Sequence, residues 1–314
     1  MKSPEVSIVM AVWNATRTLP AALDSVLAQT FGNFELICVD DGSEDGSLDL
    51  LREYAAKDPR IRILPVPHGG ACAALNAGLD SVRGSFVGFI DNDDAMHPQL
   101  LETALAAFGK GDFDIVVWDY DSVRDESFDD AAFAPMPEIP PPKAISDGMA
   151  FAAEGSHNSF WCRLYRRRVF DGVRFEPSVI HGDMCLLWKI APRPGLGLGH
   201  VPLPLYRYRV RDGSTVHSPW TEQKALDKVK IIRVIHGYHA GNRKVLSRLR
   251  RELFAEMAWS SYKLSRREPR LRRALRAELN GLFRDGIVRW RDLPFVRFAK
   301  MAFGLAFAED VRHG

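Results

Sequence analysis

The sequence predicts a doubly wound α/β fold that is followed by a region of helices alone. Short apolar runs rich in β-branched residues, at Val6–Val12 and Glu35–Val39, have the pattern of parallel strands buried on both faces. Segments with apolar residues at helical spacing separate such runs, so strands and helices alternate. Beyond Pro219 only helical patterns occur. A sheet with crossover helices and a helical extension accounts for all three observations.

The first half repeats strand and helix several times. After the first strand, a helix is predicted over Leu19–Leu27, with Thr18 placed to cap it close to Pro20. In order, the elements that follow the second strand are a helix over residues 43–56, a strand over 61–64, a helix over 71–82 and a strand over 85–90.

The second half begins with a predicted strand over residues 113–118 and an acidic, proline-rich stretch over 125–142, which we expect to be a loop. That loop could act as a lid, or it could be a surface loop without a function of its own. We therefore divide the chain into an α/β domain, residues 1–219 with halves of about 1–110 and 111–219, and a helical extension, residues 220–314. Its predicted helices cover residues 222–239, 243–266, 269–283 and 295–307.

Composition indicates a folded protein without a membrane span. Of the 314 residues 46% are hydrophobic, yet no window approaches eighteen uninterrupted apolar residues, and the first residues lead into a strand. The cytoplasm is the expected location. Because no CxxC pair occurs, we expect neither a disulfide nor a zinc site, and Cys38 should act as a small apolar side chain in a strand. The other cysteines are Cys72, Cys162 and Cys185.

The charge is distributed unevenly along the chain. From Trp220 onward there are 22 Lys and Arg against 10 Asp and Glu, although the net charge of the whole chain is only +2. A basic region beside an acidic one is typical of proteins that meet a phosphate-bearing partner, whether an anionic membrane surface, a lipid diphosphate or a nucleic acid. Because no nucleic-acid reader motif accompanies these basic residues, we expect no nucleic acid. An anionic membrane surface is the partner that we consider, and packing of the helices on their own domain is the alternative.

Two groups of carboxylates follow predicted buried strands. Asp40 and Asp41 end the second strand, and Asp91-Asn92-Asp93-Asp94 follows the strand that ends at Ile90. Ionised acids are costly to desolvate unless a cation or hydrogen-bond donors compensate them. In a doubly wound sheet these strand ends meet at one edge, so we predict a site for a divalent metal and a polar ligand.

Structural alternatives exist for each of these residues. Asp93 or Asp94 could cap a helix that starts at Pro98, and Asp40 or Asp41 could belong to an acidic turn. Trp13, which follows the first strand, could be a buried core residue instead of a ligand contact.

Four motifs occur in an order and spacing that closely resemble the inverting family 2 glycosyltransferases of GT-A fold. They are Val6 to Asn14, then Val39-Asp40-Asp41-Gly42-Ser43, then His68-Gly69-Gly70 with Asn76-Ala77-Gly78, and finally the DNDD segment at 91–94. The resemblance covers about the first 215 residues. It implies a transferase that moves a sugar from a nucleotide-diphosphate donor, with UDP-sugar expected, to a glycan or lipid-linked acceptor in cell-envelope or capsule polysaccharide synthesis.

The resemblance also implies site residues. Asp93, with Asp91, would hold Mn²⁺ or Mg²⁺, and Asp91 would hold the ribose or a metal-bound water. Trp13 stands where the family usually has Tyr stacked on the base, and Leu75 replaces a basic residue common before the asparagine. The residues expected to contact the nucleotide sugar are Trp13, Asn14, Asp41, Gly70, Asn76, Asp91, Asn92, Arg209 and Arg211.

Asp183 in Ile180-His181-Gly182-Asp183-Met184 is similar to the family's catalytic base, and a helix N-cap is its structural alternative. Farther on, Arg211 stands where the family often has His. An arginine at 209 or 211 could bind diphosphate oxygens, and either could be a solvated surface residue instead.

Other functional classes fit the residues less well. A nucleotidyltransferase should carry a glycine-rich, basic phosphate loop after the first strand, where this chain has Trp13-Asn14-Ala15-Thr16. A dehydrogenase would need GxGxxG at the same place. A non-catalytic scaffold bound to membranes through the basic tail is the alternative from a different class, and the presence of both Asp93 and Asp183 argues against it.

Overall fold

The chain folds into two compact units. One comprises Met1–Pro177 and Leu186–Ser218, and the other comprises Ser178–Cys185 and Pro219–Gly314. The structure is a computed structural model that describes residues 3–128, 133–134, 136, 138–147, 159–180, 182–211, 221–248 and 269–287.

Strands and helices alternate in the first unit. Its strands, within the described residues, are β1 (Val6–Val12), β2 (Phe34–Asp40), β3 (Ile61–Pro65), β4 (Phe86–Phe89), β5 (Ala95–Met96), β6 (Ile115–Arg124), β7 (Lys143–Ala144), β8 (Arg163–Arg166) and β9 (Leu198–Val210). The helices are α1 (Leu19–Leu27), α2 (Ser47–Lys57), α3 (Ala71–Asp80), α4 (Leu100–Phe108), α5 (Gly182–Ile190), α6 (Glu222–Tyr238) and α7 (Pro269–Arg284), of which α6 and α7 belong to the second unit.

A single mixed sheet forms the centre of the first unit. Among the described residues its strand order is β3-β2-β1-β4-β8-β6-β9-β5, and β7 pairs with β9. The first four strands are parallel, as the sequence predicts for a doubly wound sheet. The second half differs, because β8 runs antiparallel to both β4 and β6. Strand β8 lies between the parallel strands β3-β2-β1-β4 and the parallel pair β6-β9, and it joins them into one sheet.

The parallel strands are buried on both faces, which explains their continuous apolar sequence. Every residue of β2 is buried, including Cys38, which serves as a small apolar side chain as predicted. Helix α3 packs closely on β1 and β2, because a Cβ atom at Gly78 would lie 2.4 Å from Cγ1 of Val9. Glycine at this position therefore sets how closely the helix approaches the sheet.

Several predicted elements differ in detail from the observed ones. Thr18 does not cap α1 through its side chain, since its hydroxyl bonds to the carbonyl of Ala15 instead. Helix α2 begins at Ser47 instead of residue 43, because residues 43–46 form a turn that ends with Gly46 at φ +90°. Strand β6 continues to Arg124, and a 3-10 turn over Asp125–Ser127 follows it at the start of the predicted loop.

In the second unit, α6 and α7 pack against each other through apolar side chains. Leu271, Leu275 and Leu282 of α7 are buried, and Arg233 of α6 forms ion pairs with Glu278 and Asp285. Packing within the unit thus accounts for the apolar face of α7. Residues 243–248 are helical, whereas the helix predicted over 295–307 lies outside the described residues. Among the helices described here, none has the length and apolar character that crossing a membrane requires.

Candidate nucleotide and metal site

The carboxyl ends of three neighbouring strands bring the predicted polar residues to one edge of the sheet. Strand β1 lies between β2 and β4, with Val12 paired to Asp40 and Val9 paired to Phe89. Trp13 and Asn14 follow β1, Asp41 follows β2, and the DNDD segment comes shortly after β4. Ligands in doubly wound sheets bind at this edge.

Asp41 holds the glycine turn at 68–70. Its two carboxylate oxygens accept hydrogen bonds from the main-chain N–H groups of Gly69 and Gly70, at 2.8 and 2.9 Å. The imidazole Nδ1 of His68 lies 3.0 Å from the main-chain oxygen of Asp41. Gly42, at φ +71°, lies so close to this turn that a Cβ atom there would be 3.2 Å from the nitrogen of His68. The buried carboxylate therefore fixes the shape of this turn.

Trp13 is a large aromatic side chain at this edge that faces solvent. The residue is 52% exposed, so the alternative of a buried core tryptophan is wrong. One face of its indole stacks on the imidazole of His68, with ring centroids 4.9 Å apart and planes inclined by 29°. A flat ring held in this way is suited to stacking on a nucleobase.

A network of short polar side chains supports the turn after β1. Asn14 has φ +48°, and its main-chain N–H donates to the Ser43 hydroxyl while its side-chain oxygen accepts from the N–H of Glu44. Asp45 accepts hydrogen bonds from Thr16 and from Ser47. Partial burial acts to raise the pKa of Asp45, but these hydrogen bonds outweigh it and hold the pKa well below the usual range.

Three carboxylates of the DNDD segment lie close enough to share one cation. Asp91, Asp93 and Asp94 each offer an oxygen, and these oxygens lie within 4.8 Å of one another. The amide of Asn92, which separates them, donates to the main-chain oxygen of Ala11 at 2.9 Å and ties the segment to β1. The geometry thus agrees with the sequence in bringing Asp91 and Asp93 together.

Asp94 is fully buried and is bound from the side of β9. Its oxygens accept hydrogen bonds from the Tyr206 hydroxyl at 2.7 Å and from the main-chain N–H of Arg209 at 2.8 Å. Burial raises the pKa of Asp94 well above its usual range, and the charges of Asp91 and Asp93 act in the same direction. The alternative that Asp93 or Asp94 caps α4 is wrong, because the N-cap residue of that helix is Gln99.

Arg209 lies beneath the DNDD segment. Its side chain is only 1% exposed, and its Nε donates to the main-chain oxygen of Asp93 at 2.7 Å. Its Nη1 donates to Asp125 at 2.8 Å, and the guanidinium carbon lies 3.7 Å from the centroid of the Phe128 ring. Arg209 therefore stabilises the loop that carries the carboxylates.

Arg211, two residues farther on, reaches the other side of Asp93. Its Nε lies 2.8 Å from Oδ2 of Asp93, with 41% of the arginine side chain and 17% of the aspartate side chain exposed. No hydrogen bond to a described residue satisfies this Nε, so the contact is an ion pair without good N–H alignment. Of the two candidate arginines, Arg211 is the exposed one.

The residues present fit a divalent metal ion. Mg²⁺ and Mn²⁺ prefer carboxylate oxygens and retain several water ligands, so two protein carboxylates can suffice. Asp94 is fully buried, and its oxygens accept hydrogen bonds from Tyr206 and Arg209. Asp91 and Asp93 are only half-buried, so they are the more accessible residues to hold the ion.

Asn76 connects two parts of the first unit. Its side-chain nitrogen donates to the main-chain oxygen of Phe175 at 3.0 Å, and its side-chain oxygen accepts from the N–H of the same residue at 2.9 Å. Leu75, where a basic residue is common, is buried in the core. Both polar atoms of Asn76 are thus engaged in binding the 175 segment.

Asp183 lies in the first turn of α5, which begins at Gly182, and it is half-buried. The segment 178–185 belongs to the second unit. There, the main-chain N–H of Ile180 donates to the buried carboxylate of Asp227 on α6, at 3.1 Å. The role of Asp183 as a base stays a prediction.

Sequence reasoning missed several residues that shape this site. Asp125 lies in the stretch predicted as a loop, yet it pairs with both Arg17 and Arg209. Tyr206 binds Asp94 and stacks on Trp161 with ring centroids 4.3 Å apart. No local sequence pattern predicts these contacts. The alternation Tyr206-Arg207-Tyr208-Arg209 on a strand was the available signal, since it places residues 206 and 208 on one face.

Comparison with known proteins identifies the family. The sequence pattern of glycosyl transferase family 2 matches residues 7–174. EpsH of Bacillus subtilis is 30% identical over 223 residues, which cover 69% of this chain and 64% of EpsH. The succinoglycan biosynthesis protein ExoO of Rhizobium meliloti is 30% identical over 224 residues, which cover 68% of this chain and 63% of ExoO. The chain thus spans less than two thirds of the length of these relatives.

Solved structures agree with the predicted fold. A crystal structure of S. aureus TarS residues 1–349 in complex with UDP-GlcNAc superposes with a TM-score of 0.68 at 18% identity, covering 95% of this chain and 88% of that one. The complex of the same protein with UDP gives a TM-score of 0.65 at 19% identity. At identities this low, a superposition establishes the fold alone. The two superpositions confirm the predicted GT-A fold. Since the family pattern covers more than half of its length, the chain belongs to glycosyl transferase family 2, as its motifs predict.

Proposed function

We propose that the protein is a metal-dependent, inverting glycosyltransferase that uses a nucleotide-diphosphate sugar, with UDP-sugar as the expected donor. The observation that carries this proposal is the meeting of an exposed aromatic ring and a group of carboxylates at one sheet edge. Trp13 offers a face for the base, and Asp91 and Asp93 offer oxygens to a cation that would bind the diphosphate. The UDP and UDP-GlcNAc complexes of TarS, which shares the fold, support the choice of nucleotide.

The base would stack on the face of Trp13 opposite His68, and Asp41 would be its expected hydrogen-bond partner. Both oxygens of Asp41 already accept an N–H, so hydrogen bonding to a uracil imide would use a remaining lone pair. Gly70, with no side chain, would allow close approach of the nucleotide. Asn14, Asn76 and Asn92 would act by positioning the surrounding loops, because their side chains bind main-chain groups.

The diphosphate would meet Asp91, Asp93 and Arg211. A bound Mn²⁺ or Mg²⁺ would supply charge neutralisation for the diphosphate. Arg211, whose side chain is 41% exposed, would bind phosphate oxygens of the leaving group directly. We assign Arg209 to support of the loop instead, because its guanidinium is buried against Asp125 and the main chain of Asp93.

Asp183 would act as the base in the transfer. An acceptor hydroxyl oxygen forms a bond to the anomeric carbon as the bond from that carbon to the diphosphate oxygen breaks. The hydroxyl proton passes to the carboxylate of Asp183, and the diphosphate leaves with the bonding electron pair. Because attack occurs on the face opposite the leaving group, the anomeric configuration inverts.

The acceptor would be a growing glycan or a lipid-linked glycan at the cytoplasmic face of a membrane. ExoO is named for succinoglycan biosynthesis, which supports a role in polysaccharide synthesis. Arg270, Arg273 and Arg284 are exposed on α7 and could meet anionic headgroups. Co-sedimentation with vesicles containing phosphatidylglycerol, but not with neutral vesicles, tests this location. Equal recovery from both would contradict it.

One experiment tests the enzymatic proposal. The purified protein is mixed with a panel of nucleotide sugars, Mn²⁺ and glycan acceptors, and nucleotide binding and release are measured. We expect Asp93→Ala to lose nucleotide-sugar binding, and Asp183→Asn to keep binding while losing about 10²–10⁴ in transfer rate. Asp49→Asn, which alters an exposed carboxylate paired with Arg52, is the matched control and should leave both unchanged. Normal transfer by both site variants would refute the assigned roles.

A further inference from the structure

The ion pair between Arg211 and Asp93 places a cation of the chain itself on a proposed metal ligand. We propose that Arg211 competes with the metal ion for Asp93 and is released to the donor diphosphate when both bind, so that metal and nucleotide bind cooperatively. This inference rests on the proposed function, since it takes Asp91 and Asp93 as the ligands and a nucleotide diphosphate as the donor.

The geometry of the pair favours exchange. The Nε of Arg211 lies 2.8 Å from Oδ2 of Asp93, but this Nε makes no hydrogen bond to a described residue. The contact is therefore mainly coulombic, and 41% of the arginine side chain is exposed to solvent. The Nε atom itself is buried, so its unsatisfied N–H costs free energy in this position, and the guanidinium would gain aligned hydrogen bonds by moving to phosphate oxygens.

Arg209, which contacts the same loop, differs from Arg211 in its burial and in its partners. Its guanidinium is buried, donates to the main chain of Asp93 and has Asp125 as its carboxylate partner. Its charge is thus balanced by a residue outside the DNDD segment. Arg211, by contrast, is paired with a carboxylate of the segment itself, so its positive charge is placed where a bound metal ion would lie.

Metal and guanidinium would repel each other strongly at one carboxylate. Mg²⁺ binds oxygen ligands at about 2.0–2.1 Å, which is closer than the 2.8 Å between Arg211 Nε and Asp93. Two cations on one aspartate raise the free energy of both, so the metal binds more weakly while Arg211 remains in place. A diphosphate changes this balance because its oxygens can bind the metal and the displaced guanidinium together. Each ligand then favours the other, which is a reciprocal coupling between sites.

The test compares the native chain with Arg211→Gln. Mn²⁺ binding is measured by titration calorimetry and by loss of the free-ion electron paramagnetic resonance signal, first without nucleotide and then with saturating UDP. Without nucleotide, we expect Arg211→Gln to bind Mn²⁺ about five-fold more tightly than the native chain, the size of a modest ion-pair effect. UDP should tighten Mn²⁺ binding about ten-fold or more in the native chain and by a smaller factor in the variant, which has no guanidinium to release to the diphosphate.

A matched control removes an exposed arginine elsewhere. Arg52→Gln breaks a 2.8 Å ion pair with Asp49 and should leave Mn²⁺ affinity unchanged. If Arg211 only supported the loop, its loss would weaken Mn²⁺ binding, so unchanged or weaker binding by Arg211→Gln overturns the inference. Absence of Mn²⁺ binding in both proteins overturns it as well. Tighter Mn²⁺ binding by the variant without any UDP binding by either protein supports the competition and refutes the proposed nucleotide donor.

Discussion

The carboxylate of Asp125 lies 2.8 Å from the buried guanidinium of Arg209, although 84 residues separate them in the sequence. This pair joins the end of β6 to the last residues of β9. Arg209 in turn binds the main chain of Asp93, so the position of the DNDD segment depends on a residue far from it in the chain.

The first prediction concerns this pair. Asp125→Ala leaves the buried charge of Arg209 without its carboxylate partner, and we expect a loss of about 2 kcal/mol or more in the free energy of unfolding, measured by urea denaturation. Arg17→Gln is the matched control, because Arg17 binds the same carboxylate at 2.9 Å but is 61% exposed. Its cost should stay below about 1 kcal/mol. Equal losses of stability in the two variants would contradict the expectation that Asp125 stabilises the fold mainly through the buried Arg209.

A second prediction concerns Trp13. Base–aromatic stacking contributes about 1–3 kcal/mol, so Trp13→Ala should weaken UDP binding about ten-fold in titration calorimetry. Trp13→Phe keeps a flat ring and should retain most of the affinity. Because the residue is exposed, neither variant should lower the melting temperature appreciably. Native UDP affinity in Trp13→Ala would remove this residue from the proposed base site.

The third prediction is a pH dependence that arises from Asp45. Its pKa in the folded protein is depressed, so the stabilisation from its ionised form is fully present above the ordinary aspartate pKa of about 3.9 and declines as the pH falls from there toward the depressed folded pKa. The difference in unfolding free energy between the native chain and Asp45→Asn should therefore be larger at pH 6 than at pH 3. Thermal denaturation at both pH values measures it. A difference that stays constant, or grows toward pH 3, would show that the carboxylate is not stabilised in its ionised form.

The strand ends could be located from the sequence because their signals are local. The apolar runs before Trp13, Asp41 and Asp91 predict buried strands, and parallel strands must end at the same edge. The choice between Arg209 and Arg211 could not be made in this way. The two residues are two positions apart, so along an extended segment their side chains point to the same face. Arg209 is buried against Asp125 and Phe128, whereas Arg211 lies beyond the end of β9 and is more exposed.

The contacts of Asn76 likewise could not be predicted from the local sequence. Its motif was recognisable, but its side chain binds the main chain of Phe175, 99 residues away. Contacts over such distances depend on how β4 and β8 pair, and the antiparallel insertion of β8 follows from tertiary packing that no local period reveals. The mixed second half of the sheet was missed for that reason.

The last prediction tests how β9 holds the carboxylates. The Tyr206 hydroxyl donates to Asp94 at 2.7 Å and accepts from the main-chain N–H of Asp91 at 3.2 Å. Tyr206→Phe removes the hydroxyl that is the partner of both the buried Asp94 carboxylate and the half-buried Asp91 N–H, so we expect a loss of about 1–3 kcal/mol in unfolding free energy. We also expect weaker Mn²⁺ binding, because the loop that carries Asp91 and Asp93 is less well held.

Tyr54→Phe is the matched control, since its hydroxyl bonds to Asp24 at 3.0 Å in an exposed position, and its cost should stay within about 0.5 kcal/mol. Urea denaturation and Mn²⁺ calorimetry on the native chain, Tyr206→Phe and Tyr54→Phe separate the effect on stability from the effect on Mn²⁺ affinity. Normal Mn²⁺ affinity in a destabilised Tyr206→Phe would mean that Tyr206 supports the core alone, because a loop displaced at Asp91 and Asp94 could not leave the spacing of the metal-binding oxygens unchanged.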